Sequence, residues 1–270
     1  MRARVALPEP REGLMRPTYL LSDLHYDGVD IARCDRVVRF IRRLMTEAGH
    51  VYLVGDVFDV WLGHQTTVYA PYFPLLRAVA DLVDAGVRVS LFAGNHDPAP
   101  GPFMTDQFGV EVHTAGLWTT LAEKRAWIEH GDVIDPRSAR RRWVNRVARH
   151  PALHRVARAL HPDWAWSAAR VYGAALGHDA KYGGLPSALT TEYLPERARA
   201  GADIVVLGHY HCAVDVSVPS ARGETRLFVL GDWVRHFTFA RVDGDDIGLF
   251  RDTGDARAPE RLGSGDHPPR

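Results

Sequence analysis

Short apolar runs alternate with amphipathic stretches through the first hundred residues. The run Thr18 to Leu21 ends in a polar block, Ser22-Asp23-Leu24-His25. Beyond it Val37, Val38, Phe40, Ile41, Leu44 and Met45 fall on one side with arginines on the other, which predicts an amphipathic helix. Gly49 stops that helix, and Val51-Tyr52-Leu53-Val54 reads as a buried strand running into Gly55-Asp56. The cycle repeats with a helix near Leu75 to Ala85, a strand from Val87 to Phe92, and the block Gly94-Asn95-His96-Asp97. Strand, polar loop, helix, strand is the rhythm of βαβ units, whose loops at the C-terminal ends of the strands collect the chemistry.

After Val110 the pattern changes to short strands: Val110 to His113, Leu117 to Leu121, and Arg125 to Glu129 leading into His130. Later come Asp203 to Leu207, Ala213 to Val218, Arg226 to Leu230, Phe237 to Val242 and Ile247 to Phe250. The second half is therefore the more β-rich, and a two-sheet core with helices outside accommodates both halves. Residues 136–182 differ, with much Ala, Arg and Trp and few β-branched residues. Trp143, Val144, Val147, Leu153, Val156, Ala157 and Leu160 follow helical spacing, and Pro151 and Pro162 divide the segment into helices. From Arg137 to Arg158 there are eight arginines and no acidic residue. This predicts a helical cap, 136–182, inserted into a core formed by 17–135 and 183–252. The Gly-, Pro-, Asp- and Arg-rich end, 253–270, is expected to be a flexible tail.

Composition removes several classes. With 46% apolar and 24% charged residues over 270 positions, the chain is not disordered, collagen-like or a disulfide scaffold. Thirty-three basic residues balance thirty-three acidic ones, so net charge gives no reason to expect a nucleic-acid partner. Two cysteines, Cys34 and Cys212, are too few for a disulfide framework or a Cys-rich zinc site. No run reaches the roughly 18 apolar residues of a membrane span. Pro8, Glu9, Pro10 and Glu12 interrupt the start where a signal peptide would be apolar. A cytoplasmic protein is the expectation.

The chemistry lies in polar blocks placed where strands end: Asp23-x-His25, Gly55-Asp56, Gly94-Asn95-His96-Asp97, His130-Gly131-Asp132 and Gly208-His209-Tyr210-His211. One Asp-x-His alone is a weak signal. Five blocks in order, each after an apolar run, point to one metal centre. Imidazole and carboxylate together suit Mn, Fe, Zn or Co, whereas Mg or Ca prefers oxygen alone. Two such ions roughly 4 Å apart share a bridging carboxylate and a bridging water, lower that water's pKa and stabilise phosphate oxygens in an in-line displacement. His50, His64, His113, His150, His154, His161, His178, His236 and His267 lack such context and read as ordinary core or surface residues.

The order of these blocks resembles the calcineurin-like metallophosphoesterases from Tyr19 to about Val242. The resemblance implies an α/β fold, a four-layer α/β/β/α metallophosphoesterase sandwich with an α-helical cap insertion. It implies that Asp23, His25 and His211 hold one divalent ion and Asn95, His130 and His209 a second, with Asp56 bridging. Manganese is the expected metal, with Fe, Zn or Co as alternatives. His96 falls where many members place an imidazole near the leaving-group or phosphate oxygen, and Asp97 would orient it. The catalytic set expected on this ground is Asn95, His96 and Asp97.

Three features resemble the UDP-2,3-diacylglucosamine pyrophosphatases of lipid A biosynthesis. They are Gly55-Asp56-Val57-Phe58-Asp59-Val60-Trp61-Leu62-Gly63, the Arg-rich insertion directly after His-Gly-Asp, and Leu230-Gly231-Asp232-Trp233. The resemblance implies a nucleotide-sugar lipid substrate, cleaved by metal-bound hydroxide to UMP and 2,3-diacylglucosamine 1-phosphate. Trp143, Trp164, Trp166 and the stretch Ala168 to Leu176 could line an acyl groove, and the cap could touch the inner-membrane surface transiently. His96 stands where well-known members carry Arg, and His64 and Gln65 stand where they carry acidic residues. The alternatives are another metallophosphoesterase (a phosphodiesterase, dinucleoside polyphosphate hydrolase or phosphoprotein phosphatase) or a non-catalytic scaffold of the same fold.

Overall fold

The computed structural model describes residues 16–61, 63–64, 67–134, 184–254 and 258–267, together with Trp143, Val147, His150, His161, Trp164, Trp166 and Ser167. The expected cap helices over 136–182 otherwise lie outside the described residues.

The strands are β1 (Thr18–Leu21), β2 (His50–Leu53), β3 (Arg88–Phe92), β4 (Glu111–His113), β5 (Leu117–Leu121), β6 (Lys124–Glu129), β7 (Ile204–Leu207), β8 (Ala213–Ser220), β9 (Gly223–Leu230), β10 (Thr238–Asp243), β11 (Asp246–Arg251), β12 (Glu260–Arg261) and β13 (Gly265–His267). They form two sheets, one of seven strands in the order β12-β11-β10-β1-β2-β3-β4 and one of six in the order β13-β8-β9-β7-β6-β5. In the first sheet β1, β2, β3 and β4 run parallel out to one edge, with Leu21 opposite Leu53 and Leu53 opposite Leu91. At the centre of the second β6, β7 and β9 run parallel. Each parallel strand therefore delivers its following loop to the same end of its sheet.

The apolar strand runs are continuous because each sheet is covered on both faces. On β1 and β2, Tyr19, Leu21, Val51 and Leu53 pack against α1 (Ile31–Glu47) and α2 (Phe73–Asp84). The intervening Leu20 and Tyr52 turn inward to meet Ile128, Val206, Phe228 and Leu230 of the second sheet. That sheet's outer positions, Val205, Leu207, Leu227 and Val229, pack on Leu189 and on Leu194 at the start of a short helix, Leu194–Arg199. The result is the expected four layers. Burying each Leu, Ile, Val or Phe in these layers contributes roughly 1.5–3 kcal/mol.

The α1 pattern behaves as its sequence predicts. Asp30 caps it by accepting the Arg33 amide at 3.1 Å, and Cys34, Val37, Val38, Phe40, Ile41 and Leu44 form its buried face. The terminal region departs from expectation. Residues 260–261 pair with β11 and residues 265–267 pair with β8, extending one edge of each sheet. Leu262 is buried in the inter-sheet core, and Arg261 forks onto Asp246 with both bonds at 2.7 Å. Main-chain pairing to an existing edge needs no apolar run, so composition does not reveal it. Among the described residues no helix is long and apolar enough to cross a membrane.

Candidate metal centre

Loops after β1, β2, β3, β6 and β7 converge between the ends of the two sheets. They are stitched together by main-chain bonds: Asp23 N–H to Gly55 O at 3.1 Å, His25 N–H to Asp56 O at 3.0 Å, and Gly208 N–H to His130 O at 3.1 Å. Asp23, His25, Asp56, His209 and His211 all adopt left-handed backbone, with φ of 53°, 40°, 50°, 69° and 53°. For residues with a Cβ such conformations cost of order 1–3 kcal/mol each, and they cluster where function requires them. Gly55 and Gly94 permit the close approach. A Cβ on Gly55 would lie 2.5 Å from His130 Nδ1, and one on Gly94 would lie 2.2 Å from Asp56 Oδ1.

Two groups of side chains meet at Asp56. In the first, His211 Nε2 lies 3.1 Å from both Asp23 Oδ1 and His25 Nε2, and His25 Nε2 lies 3.7 Å from Asp56 Oδ2. In the second, His130 Nε2 lies 3.4 Å from Asp56 Oδ2 and 3.3 Å from Asn95 Oδ1, which is 2.9 Å from His209 Nδ1. Apart from the amide of Asn95, the donor atoms of each group, Asp23-His25-His211 and Asp56-His130-His209, lie within 4.8 Å of one another.

The donor set fits divalent cations. His130 Nδ1 sits 2.9 Å from the carbonyl of Val54, and only an N–H satisfies a carbonyl. In the neutral ring Nε2 then turns a lone pair toward Asp56 Oδ2 and Asn95 Oδ1, so three acceptors face one point. Burial opposes an imidazolium at His130, yet Asp56, Asp23 and Asp132 outweigh it and push the ring up to about 10. The same concentration of negative charge attracts a metal ion. Burial also penalises the Asp23 carboxylate, but His211, His25 and His130 hold it well below the usual range. Imidazole nitrogen mixed with carboxylate and amide oxygen suits borderline first-row ions.

Further groups orient these donors. Asp232 Oδ2 lies 3.3 Å from His211 Nδ1 and 3.1 Å from His236 Nδ1, while its Oδ1 accepts the amides of Val234, Arg235 and His236. Asp59 Oδ1 lies 3.8 Å from His25 Nδ1. A carboxylate as near a ring nitrogen as Asp232 is to His211 fixes the tautomer and direction of a ligating imidazole, whereas Asp59 adds negative charge beside His25.

The sequence profile of the calcineurin-like phosphoesterases matches residues 16–213. The chain belongs to that family. A calcineurin-like phosphoesterase of this kind is a metal-dependent phosphoester hydrolase, with the two sheets and flanking helices already described. Among its relatives, UDP-2,3-diacylglucosamine hydrolase of Porphyromonas gingivalis is 31% identical over 86% of this chain and 93% of its own length. The protein of that name from Stenotrophomonas maltophilia is 28% identical over 84% of this chain and 94% of its own. Among solved structures, a dimetal phosphatase from Danio rerio aligns over 94% of this chain and 98% of its own, at 13% identity and a TM-score of 0.41.

In this phosphoesterase the fold brings Asp23, His25, Asp56, Asn95, His130, His209 and His211 into one centre. His96 stands at its rim, with a ring nitrogen within 4.8 Å of the His25 and Asp56 donor atoms. Asp97 differs from expectation. Its buried carboxylate accepts the amides of Asp56, Val57, Phe58 and Gly94 at 3.0, 2.7, 3.3 and 2.8 Å. The His96 ring instead places Nδ1 2.7 Å from the Asp59 carbonyl. A carboxylate surrounded by four amides is already saturated, so Asp97 ties the second and third loops together rather than gripping the imidazole. Nothing local in the sequence marks Asp59 or Asp232 for a role, although both lie inside the Gly55–Gly63 and Leu230–Trp233 motifs, and His236 reads as ordinary although it backs Asp232.

Proposed function

We propose that this phosphoesterase hydrolyses the diphosphate of UDP-2,3-diacylglucosamine to UMP and 2,3-diacylglucosamine 1-phosphate. The observation that carries the hydrolytic reading is the convergence of imidazoles and carboxylates on Asp56. The substrate is supported by the names of the relatives that align over most of the chain.

In this reading Asp23, His25 and His211 hold one divalent ion and Asn95, His130 and His209 the other, with Asp56 between them; manganese is the ion proposed. When bound, the ions supply Lewis-acid charge for an in-line displacement at phosphorus. Asn95 and His96 contact phosphate oxygens. With Nδ1–H held by the Asp59 carbonyl, Nε2 of the neutral ring takes up a proton from water, and the imidazolium so formed stabilises charge or passes that proton to the departing phosphate. The cap, 136–182, covers the acyl chains and touches the inner membrane transiently; the exposed Trp143 and Trp164 are apolar surface suited to that role. His96, in place of the arginine of well-known lipid A members, supports a second reading as a phosphodiesterase of broader range.

The deciding experiment is manganese-supported hydrolysis of UDP-2,3-diacylglucosamine beside deacylated UDP-glucosamine and an aryl phosphodiester. UMP release from the acylated substrate alone is the expected result. Equal turnover of all three would retain the hydrolase and discard the lipid substrate.

A further inference from the structure

Two successive peptide planes beside the metal centre are each held at both ends, by His96 on one side and by Tyr72 on the other. In the Asp59–Val60 peptide, the carbonyl meets His96 Nδ1 at 2.7 Å and the N–H donates to the Tyr72 hydroxyl at 3.1 Å. In the Val60–Trp61 peptide, the carbonyl accepts from the Tyr72 hydroxyl at 3.1 Å and the N–H donates to the His96 carbonyl at 2.9 Å. A single phenol oxygen thus accepts from one peptide and donates to the next. Tyr72 is 1% exposed, and burial pushes its ionisation upward, so the hydroxyl keeps the proton it donates.

The Tyr72 ring is itself seated. Phe58 packs on it at 4.9 Å, and Tyr69 meets it edge-on at 5.1 Å. Trp166, from the middle of the inserted segment, stacks on Tyr69 at 4.8 Å and 21° and meets Tyr72 edge-on at 5.4 Å and 75°. Trp166 is 7% exposed, whereas Trp164, two residues earlier, is 74% exposed. The insertion therefore plants one tryptophan on the tyrosine that grips the His96 loop.

We propose that Tyr72 is a positioning residue for His96, and that Trp166 seated beside it lets the inserted segment set that position. A carbonyl only accepts, so the Asp59 oxygen assigns the ring proton of His96 to Nδ1 and leaves Nε2 as the acceptor, the nitrogen that takes up and hands on a proton in the reaction. The Tyr72 hydroxyl fixes the tilt of that carbonyl by holding the other end of the same peptide. Neither residue reaches the donor cluster; both act through the backbone between Asp59 and Trp61. The proposal rests on His96 acting at the substrate, which His96→Ala tests on its own.

The experiment uses the full-length, metal-loaded enzyme labelled with 15N-histidine, the His96 signals being assigned by their loss in His96→Ala. Long-range 1H–15N spectra report which ring nitrogen carries the proton, and an aryl phosphodiester reports kcat and KM. The wild type is expected to show the Nδ1–H form. Tyr72→Phe, which keeps the ring, is expected to mix the tautomers and lower kcat about tenfold with KM within about twofold. Added to His96→Ala, it should change kcat by less than about twofold, since the residue it positions is gone. Trp166→Leu should move the same signal in the same direction and Trp166→Phe should restore it, with melting curves confirming folded protein. An unchanged His96 tautomer in Tyr72→Phe, or an equal loss of kcat in the His96→Ala background, would overturn the proposal. Should His96→Ala alone keep full turnover, the role given to His96 fails, and the tautomer spectrum alone decides whether Tyr72 positions the ring.

Discussion

Asp232 Oδ2 lies 3.3 Å from His211 Nδ1, while the other nitrogen of the same ring lies 3.1 Å from Asp23 Oδ1. The imidazole is clamped between two buried carboxylates, one inside the donor cluster and one behind it. Burial disfavours the Asp232 carboxylate, but His211 and His236 hold it far below the ordinary range. Asp232→Asn keeps an oxygen for the three amides and removes the charge. Metal affinity should fall about 10–100-fold, with activity recovered at high metal concentration. Metal titration of the apoprotein together with activity against metal concentration checks this; unchanged affinity would show that the carboxylate is dispensable.

Asp56 belongs to one donor cluster and faces the other. Its Oδ2 faces His25 and His130, and its Oδ1 accepts the His96 amide at 2.8 Å. Asp56→Ala should abolish binding of both ions and nearly all activity while the sheets remain folded. Metal content by elemental analysis and circular dichroism test the two halves of that statement. Retention of two metals and full turnover would remove Asp56 from the bridge.

Gly94 is excluded from carrying any side chain. A Cβ there would fall 2.2 Å from Asp56 Oδ1, 2.3 Å from Asp56 N and 2.8 Å from Asp97 Oδ1; the second is backbone, and the two carboxylate oxygens are pinned by main-chain amides. Gly94→Ala should cost about 1–3 kcal/mol of stability by overpacking and weaken metal binding at Asp56. Gly263→Ala, whose Cβ would meet nothing within 4 Å, is the matched control expected to melt like the wild type.

His50 gives the pH dependence of the fold away from the metal centre. It is buried beside Tyr52, and its Nε2 lies 2.9 Å from Ser90 Oγ, which donates to Glu111 at 3.0 Å. Burial, with Arg88 and His113, pushes its pKa down to about 4. Between about pH 6.5 and 4 the unfolded chain binds the proton and the folded chain does not, so stability falls as pH drops through this window. The contribution is about 3 kcal/mol at the bottom of it. His50→Gln preserves the donor to Ser90 and should flatten that part of a denaturation-against-pH profile. A mutant slope identical to the wild type would show that other groups cause the loss.

The strand–loop–helix order, the buried face of α1 and the polar blocks that the fold brings together were legible because each is a local property of the chain. Side-chain period follows from backbone geometry, and polar blocks after apolar runs mark where parallel strands end. Even there the residue types did not disclose their partners. Asp97 follows His96 directly, yet it serves amides of Asp56 to Phe58 some 39–41 residues away.

What tertiary structure decided is which groups stand behind the candidate donors and what covers the edges. His25 meets His211 across 186 positions, and His209 meets Asn95 across 114. Asp232 behind His211, Asp59 beside His25 and Trp166 beside Tyr72 are likewise products of tertiary packing. The terminal residues became strands because open edges of both sheets were there to pair with. The sequence alone determined the order of the elements and the donor types, since period and composition are written locally. Orientation, tautomer and support arise only when chain segments distant in sequence share one buried volume, which no local pattern encodes.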